Sequence, residues 1–506
     1  MSKFAAKKAP VTAPVQTTDQ RIRTFEGGVG YTRDAKSELF LLAISNFVGE
    51  KTFYESAETR DTRFAQLIHQ VTAEDPAFMA KFVPFLRDKA NMRSASIVAA
   101  AEYVAAGGPN GRRIISAALK RPDEPAEMLA YWHLTHSRAL PAAVKRGVAD
   151  AVSRLYTPQS FISYDGSRAN WRFGDVIDLV HPKPLTPTQS ALFKYAIDTR
   201  HHDDIAVPEE LETIATLRHL LALPVEQREA QLELAQAIMP WQMMTGWLEG
   251  AISAKTWEAL IPNMGYMALL RNLRNFDKAE ISDAAANQVI ARLSDPEQVA
   301  KSRQFPYRFY SAYAAVETFR WHQALETALS LSLENIPSYK GKTLVLMDLS
   351  ISMFGPTLSE HSNRQRWEVG ALFALAISRR SDNATLVAYG TNSEDVSEAI
   401  RKPILRGVEE FNNSMGGTYT FEALLKHYDG HDRIVIVTDE QAHDAGRYQL
   451  PDVPIYTFNV AGYAPAQLPT ANSKNFTFGG LSDASFGAID MLERGRSIGW
   501  DNLLDV

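Results

Sequence analysis

There is no cysteine among the 506 residues. That excludes disulfides, thiolate zinc sites and a thiol nucleophile. No apolar run approaches the roughly 18 uninterrupted residues that a membrane span needs, so no transmembrane helix and no membrane partner are expected. Lys3, Lys7 and Lys8 are not followed by an apolar segment, so no secretory signal is expected either. A phosphate loop of the G-x-x-x-x-G-K-[ST] type is missing. So is a strong charge of one sign: the net charge is only −6. Bulk charge therefore does not mark a nucleic-acid binder, and any such surface must be a local patch. What is present is 45% hydrophobic and 22% charged. That composition suits a folded chain of two or more domains and excludes a disordered one. A cytoplasmic location is the expectation.

The charge is uneven. Residues 341–506 hold 14 Lys+Arg against 21 Asp+Glu, a balance of −7, and the other 340 residues hold 39 against 38. Residues 1–20 are polar, contain Pro10 and Pro14, lack periodicity and read as a flexible tail. Residues 21–336 are expected to form one domain, whose pattern is helical almost throughout from about Ser37 to Glu334. Phe64, Leu67, Ile68 and Val71 fall at i, i+3, i+4 and i+7, one face of a helix that Asp61 or Thr62 would cap. Further helical periodicity covers 211–223, 226–238, 256–276, 284–293 and 307–333, with an irregular stretch around 157–187. Each helical pair takes roughly 40 residues, the period of helical-hairpin solenoids. No strand cluster is expected before residue 340.

Beyond Ile336-Pro337-Ser338-Tyr339-Lys340-Gly341 the pattern changes. Apolar runs at 343–347, 384–389, 433–438 and 453–460 alternate with helical segments at 366–380 and 419–428. Continuous apolar strands alternating with helices predict a parallel sheet covered on both faces over 341–506. Ligands of such sheets bind at the carboxyl ends of the strands. The first strand ends in Asp348-Leu349-Ser350-Ile351-Ser352. A carboxylate and two hydroxyls at this spacing suit a hard cation such as Mg²⁺. Thr418 follows Gly416-Gly417, and Asp439 ends the third strand. Alone, D-x-S-x-S is also a plain strand-to-helix turn. In this order, with G-G-T and T-D behind it, the set resembles the metal-ion-dependent adhesion site of a von Willebrand factor A domain. His427, His431 and His443 share no spacing that would join them as ligands.

The helical part carries polar-aromatic mixtures. Trp171 and Arg168 precede His181-Pro182-Lys183-Pro184, Lys145 and Arg146 stand upstream, and Arg271 and Arg274 close another helix. Aromatic rings can stack on splayed bases while Arg and Lys hold phosphates. The same residues also fit core packing, for Trp171, Trp241 and Trp257, and solvated helix faces, for the cations.

A helical region followed by an acidic A-type domain resembles the Ro ribonucleoprotein family, the TROVE-domain proteins. Leu179-Val180-His181-Pro182-Lys183-Pro184, Met239-Pro240-Trp241, Ala268-Leu269-Leu270-Arg271-Asn272-Leu273 and the metal motif carry the resemblance, over about residues 20–500. It implies a monomeric ring of HEAT-like repeats closed by a Rossmann-like A domain. It also implies a non-catalytic role in RNA quality control. Y-type small non-coding RNA would bind the outer surface, and single-stranded 3′ ends of misfolded RNA would enter the central hole. A 3′ exoribonuclease is a further implied partner. By the family motif Arg168 and His181 fall at RNA-contacting positions, with Lys183 and Trp171 as neighbours. Lys145, Arg146, Arg271 and Arg274 are the expected phosphate-facing set. Three positions depart from the family pattern: Tyr164 stands one helical turn before Arg168, where animal members place a basic residue, Ile351 replaces a glycine in the metal motif, and Tyr419 replaces an acidic residue. A metal-dependent protein–protein adaptor working through the A domain is the alternative reading.

Overall fold

The computed structural model describes residues 21–479, apart from 25–26, 46–55, 91, 137–138, 167–170, 203, 251, 303, 305, 335, 356–364, 462, 464–465 and 469–473, and beyond them Ile489 and Glu493. The tail 1–20 and Arg168 lie outside the described residues. The chain divides into two compact units. Of the described residues, one holds those of Pro109–Arg303 and Ala312–Ala328, and the other holds those up to Gly108, of Gln304–Ser311 and from Leu329 onward.

The first unit is built of helices, among them Gly111–Ala118, Ala142–Leu155, Phe173–Val180, Pro187–His201, Tyr266–Lys278 and Asp283–Leu293. The stretch around 157–187, expected to be irregular, contains the helices Pro158–Tyr164 and Phe173–Val180. Thr157 and Ser160 form a reciprocal capping box on the first. The left-handed His181 (φ 50°) ends the second, and Pro182 prevents its continuation. Two long expected helices are broken. Pro262 and Gly265 separate Ala254–Leu260 from Tyr266–Lys278. Residues 314–321 separate Pro306–Tyr313 from His322–Leu333.

The second unit combines N-terminal helices with a sheet. The helix Ala57–Glu74 buries the expected Phe64, Leu67, Ile68 and Val71. Its cap lies five residues before Asp61, because the Ser56 side chain accepts the Thr59 N–H and caps it there. A short antiparallel hairpin, β1 (Arg21–Arg23) and β2 (Val29–Tyr31), precedes it, contrary to the expectation of no early strand. Three-residue strands are too short for period-two alternation to register.

The large sheet comprises β3 (Tyr339–Asp348), β4 (Ser381–Tyr389), β5 (Ser393–Asp395), β6 (Arg433–Thr438), β7 (Ile455–Asn459) and β8 (Asn475–Gly479), in the order β5-β4-β3-β6-β7-β8. All neighbours pair parallel except β5, which returns antiparallel to β4, so the sheet is mixed rather than purely parallel. The helix Arg366–Arg380 carries the β3-to-β4 crossover. It is buried almost along its whole length, as a helix covering a sheet face must be. Thr420–His427 leads into β6. Between β6 and β7 the chain crosses in turns, without a helix.

Candidate functional site

Two regions contain the residues singled out in the sequence. The first lies at the carboxyl ends of the parallel strands. The register pairs Met347 with Val437, so Asp348 stands level with Thr438 and Asp439 lies one residue beyond. Asp348 and Asp439 are both completely buried, and Ser350, Ser352 and Thr418 are nearly so. Asp348 is held from both sides: Oδ1 accepts the Ser350 N–H at 2.8 Å and Oδ2 accepts the Thr438 hydroxyl at 2.5 Å. The Ser350 and Ser352 hydroxyls stand 3.2 Å apart.

The loop carrying Thr418 is stitched to this turn. Ser350 forms a parallel bridge with Gly416, the Ile351 N–H donates to Gly416 O at 3.0 Å, and the Met415 N–H donates to Leu349 O at 2.8 Å. Gly416 has φ 86°, the left-handed region in which a side chain would be strained. The structure thus gathers all five expected oxygen residues at one end of β3 and β6. Burial, then the neighbouring Asp439 charge, pushes the Asp348 carboxyl up to about 7. Two buried carboxylates with three hydroxyls form a donor set that fits one hard divalent cation, which would relieve their repulsion. Among the described residues no group of three or more His, Asp or Glu side chains gathers as a metal site, so a cation held here would need the hydroxyls as ligands.

Two features here were not legible in the sequence. Tyr389, at the end of β4, is fully buried and accepts a hydrogen bond from Thr420 at 3.3 Å; burial and Asp348 hold its hydroxyl well above its usual pKa. Glu440, directly after Asp439, adopts a left-handed φ of 64° and turns inward. Its carboxylate pairs with the buried Arg33 and accepts from Asn459 Nδ2 at 2.6 Å. Arg33 also donates to Tyr463 O at 3.2 Å. The hairpin in front of Arg33 lies on the same loop. Thr24 donates to Ala442 O at 3.2 Å and the Val29 N–H to Ala445 O at 3.3 Å. A Cβ on Gly28 would stand 2.2 Å from Ala442 O, so only glycine allows this approach. The rim carries Ile351, 61% exposed, and Tyr419 stacked on His443 at 5.3 Å. His427 and His431 bond to Ser393 and Thr385, which gives both structural partners.

The second region lies on the helices. Lys145 and Arg146 sit near the start of Ala142–Leu155, whose Ser153 donates to Lys183 O at 2.7 Å. Eight residues of helix separate Lys145 from Ser153, about 12 Å at 1.5 Å per residue. His181 and Lys183 are exposed, while Trp171 is half-buried against His133, with ring centres 5.3 Å apart. Arg271 and Arg274 stand elsewhere, on Tyr266–Lys278. Its Leu269, Leu270, Leu273 and Phe276 face inward. Its exposed face carries Arg271, Arg274 and Lys278 at i, i+3 and i+7, a basic stripe. Lys278 was missed in the sequence, although the spacing from Arg271 and Arg274 would have found it.

The model of the TROVE domain matches residues 249–372, which include this stripe and Asp348, Ser350 and Ser352. Over that stretch the chain is similar to the TROVE-domain proteins. Its fold is also that of the crystal structure of Deinococcus radiodurans RO (RSR) protein. The TM-score is 0.63 at 17% identity, over 91% of this chain and 100% of that one. Among curated proteins, "Telomerase protein component 1" of Mus musculus is 23% identical over 354 residues, 60% of this chain and 13% of that protein. The Rattus norvegicus protein of the same name is 41% identical over 66 residues, 13% of this chain and 2% of that protein. The chain therefore spans only a small part of the length of these two relatives. No described helix is long and apolar enough to cross a membrane.

Proposed function

We propose that this chain is a non-catalytic RNA-binding scaffold, with an A-type cation site that engages an acidic partner. The observation that carries the reading is the exposed stripe of Arg271, Arg274 and Lys278 inside the TROVE match. Cations repeated along one helix face neutralise successive phosphates and release counterions. The finer picture follows the family. A Y-type small RNA would be contacted by His181, Lys183, Arg168, Trp171, Lys145 and Arg146, and single-stranded ends of misfolded RNA would be taken at a separate surface. A 3′ exoribonuclease would be recruited through the RNA, and the monomer would act in the cytoplasm.

Asp348, Ser350, Ser352, Thr418 and Asp439 would hold Mg²⁺. Their hydroxyl-rich set leaves coordination positions for a partner's carboxylate. The adaptor reading keeps one specific support: Ile351 is 61% exposed beside this site, where an apolar partner side chain could rest.

The test is to purify the protein from its own cells and sequence the RNA that accompanies it, beside an Arg168→Glu/His181→Ala variant and an Arg271→Gln/Arg274→Gln/Lys278→Gln variant. A discrete small RNA lost in the first variant supports the outer site. A single-strand affinity that loses salt dependence in the second supports the stripe. No enriched RNA in the parent protein rejects the scaffold in favour of the adaptor.

A further inference from the structure

Phe319 is 85% exposed, more than any other large apolar side chain among the described residues. It does not sit on a loose loop. On one side of it the Thr318 hydroxyl donates to Asp277 Oδ2 at 2.9 Å. On the other, Arg320 Nε and Trp321 Nε1 donate to Asp277 Oδ1 at 3.0 and 2.8 Å. Trp321 is completely buried and anchors the turn. The backbone is thus pinned on both flanks while the phenyl ring between them is held in solvent.

The ring has aromatic support. His322 meets Phe319 edge-to-face, with centres 5.1 Å apart and planes at 74°, and the Tyr313 ring centre lies 4.2 Å from that of His322. Asp277 belongs to the same helix as Arg271, Arg274 and Lys278, so the anchor fixes Phe319 beside the basic stripe. Arg274 also reaches Glu317 of the same turn, at 3.7 Å. Arg320 is already neutralised by Asp277, at 2.9 Å, and lies over the Trp321 ring. Arg320 is thus engaged, whereas the stripe faces solvent and its Arg274 holds the exposed Glu317 only at 3.7 Å.

We propose that Phe319, backed by His322 and Tyr313, is a stacking platform for an unpaired base of single-stranded RNA whose phosphates follow Arg271, Arg274 and Lys278. This rests on the RNA-binding reading and adds the residue that separates single strands from duplex. A base has a free face for the ring only when it is unstacked. A protein partner would use the ring without needing the cation stripe.

The test uses the full chain and a short single-stranded oligoadenylate carrying 2-aminopurine, with an abasic oligomer of equal length as control. Phe319→Ala is expected to weaken oligoadenylate binding by about 5- to 150-fold, the range for one stacked base. It should leave abasic binding, the salt slope and the melting temperature unchanged. Phe319→Trp should restore affinity and quench 2-aminopurine. Arg274→Gln should instead lower both affinities and reduce the salt slope by about 0.7 per phosphate. If Phe319→Ala binds normally while Arg274→Gln does not, RNA binding stands and the platform is wrong. Equal loss on both oligomers, or a drop in melting temperature, makes Phe319 structural and overturns the proposal. If the parent protein binds neither oligomer, the RNA-binding reading itself fails.

Discussion

Arg33 is buried against Glu440, a residue 407 positions away and adjacent to Asp439. The pair joins the N-terminal segment to the loop that carries one of the two candidate cation carboxylates. Both side chains are essentially inaccessible to solvent. Neither has water to replace the other, so each depends on its partner.

Arg33→Met should therefore destabilise the protein by about 3–5 kcal/mol, the usual cost of stranding one member of a buried ion pair. Denaturant unfolding measures it. The Arg33→Met/Glu440→Gln double variant should recover a large part of the loss, because the buried charge is gone and Asn459 still has an acceptor. A double variant no more stable than the single one would refute the pairing as the cause.

Asp348 gives a pH dependence with a definite sign. In the unfolded chain its carboxyl ionises near about 3.9. In the fold, burial and Asp439 raise it to about 7. Its stabilising contribution is complete below the unfolded value and is lost as pH rises through the folded one. Between roughly pH 4 and 7 the metal-free protein should lose stability that the Asp348→Asn variant retains. Thermal melts at several pH values measure this. A parallel profile in the two proteins would show that Asp348 is not the group responsible.

Mg²⁺ should raise the melting temperature, and more at pH 8 than at pH 5, since protons compete with the cation for the same oxygens. Asp439→Asn should abolish that rise. Without Mg²⁺ the same variant should be as stable as the parent or more so, because one of two repelling charges is removed. Its RNA affinity should not change. A variant that still responds fully to Mg²⁺ would place the cation elsewhere.

Asp277→Ala should cost about 2–3 kcal/mol, because Thr318, Arg320 and Trp321 lose a shared charged acceptor. The buried Trp321 indole N–H suffers most. Hydrogen exchange across 314–322 should rise in this variant more than exchange in Asp283–Leu293. Unchanged exchange there would mean that Asp277 does not anchor the turn.

The sheet was readable because its strands are continuous apolar runs; Arg433–Thr438, for example, is buried at every residue. The candidate cation residues could be picked out because four of them lie at or just past the ends of β3 and β6 and the fifth, Thr418, follows Gly416-Gly417. The hairpin was not, since three-residue strands carry no periodicity. Glu440 was not either. Acidic residues are seldom buried, and its inward turn depends on Arg33, whose approach no local pattern reports. Pro262 and Gly265 could have split the segment 256–276 in advance, but the apolar periodicity continues across them. Phe319 escaped notice for the opposite reason: a phenylalanine beside a tryptophan reads as core, and only the three bonds to Asp277 reveal that it is held outside.

The tie between Arg33 and Glu440 also sets an order of events during synthesis. Arg33 leaves the ribosome long before its acceptor exists. At 5–20 residues per second the wait for the intervening 407 residues is roughly 20–80 s. The hairpin and the helices up to Gly108 must stay competent over that interval, with a guanidinium still in water, until the final third of the chain arrives to enclose it. A fragment starting at Gly341 would fold around Glu440 with no guanidinium to meet it. The C-terminal sheet is thus finished by a segment made well before it.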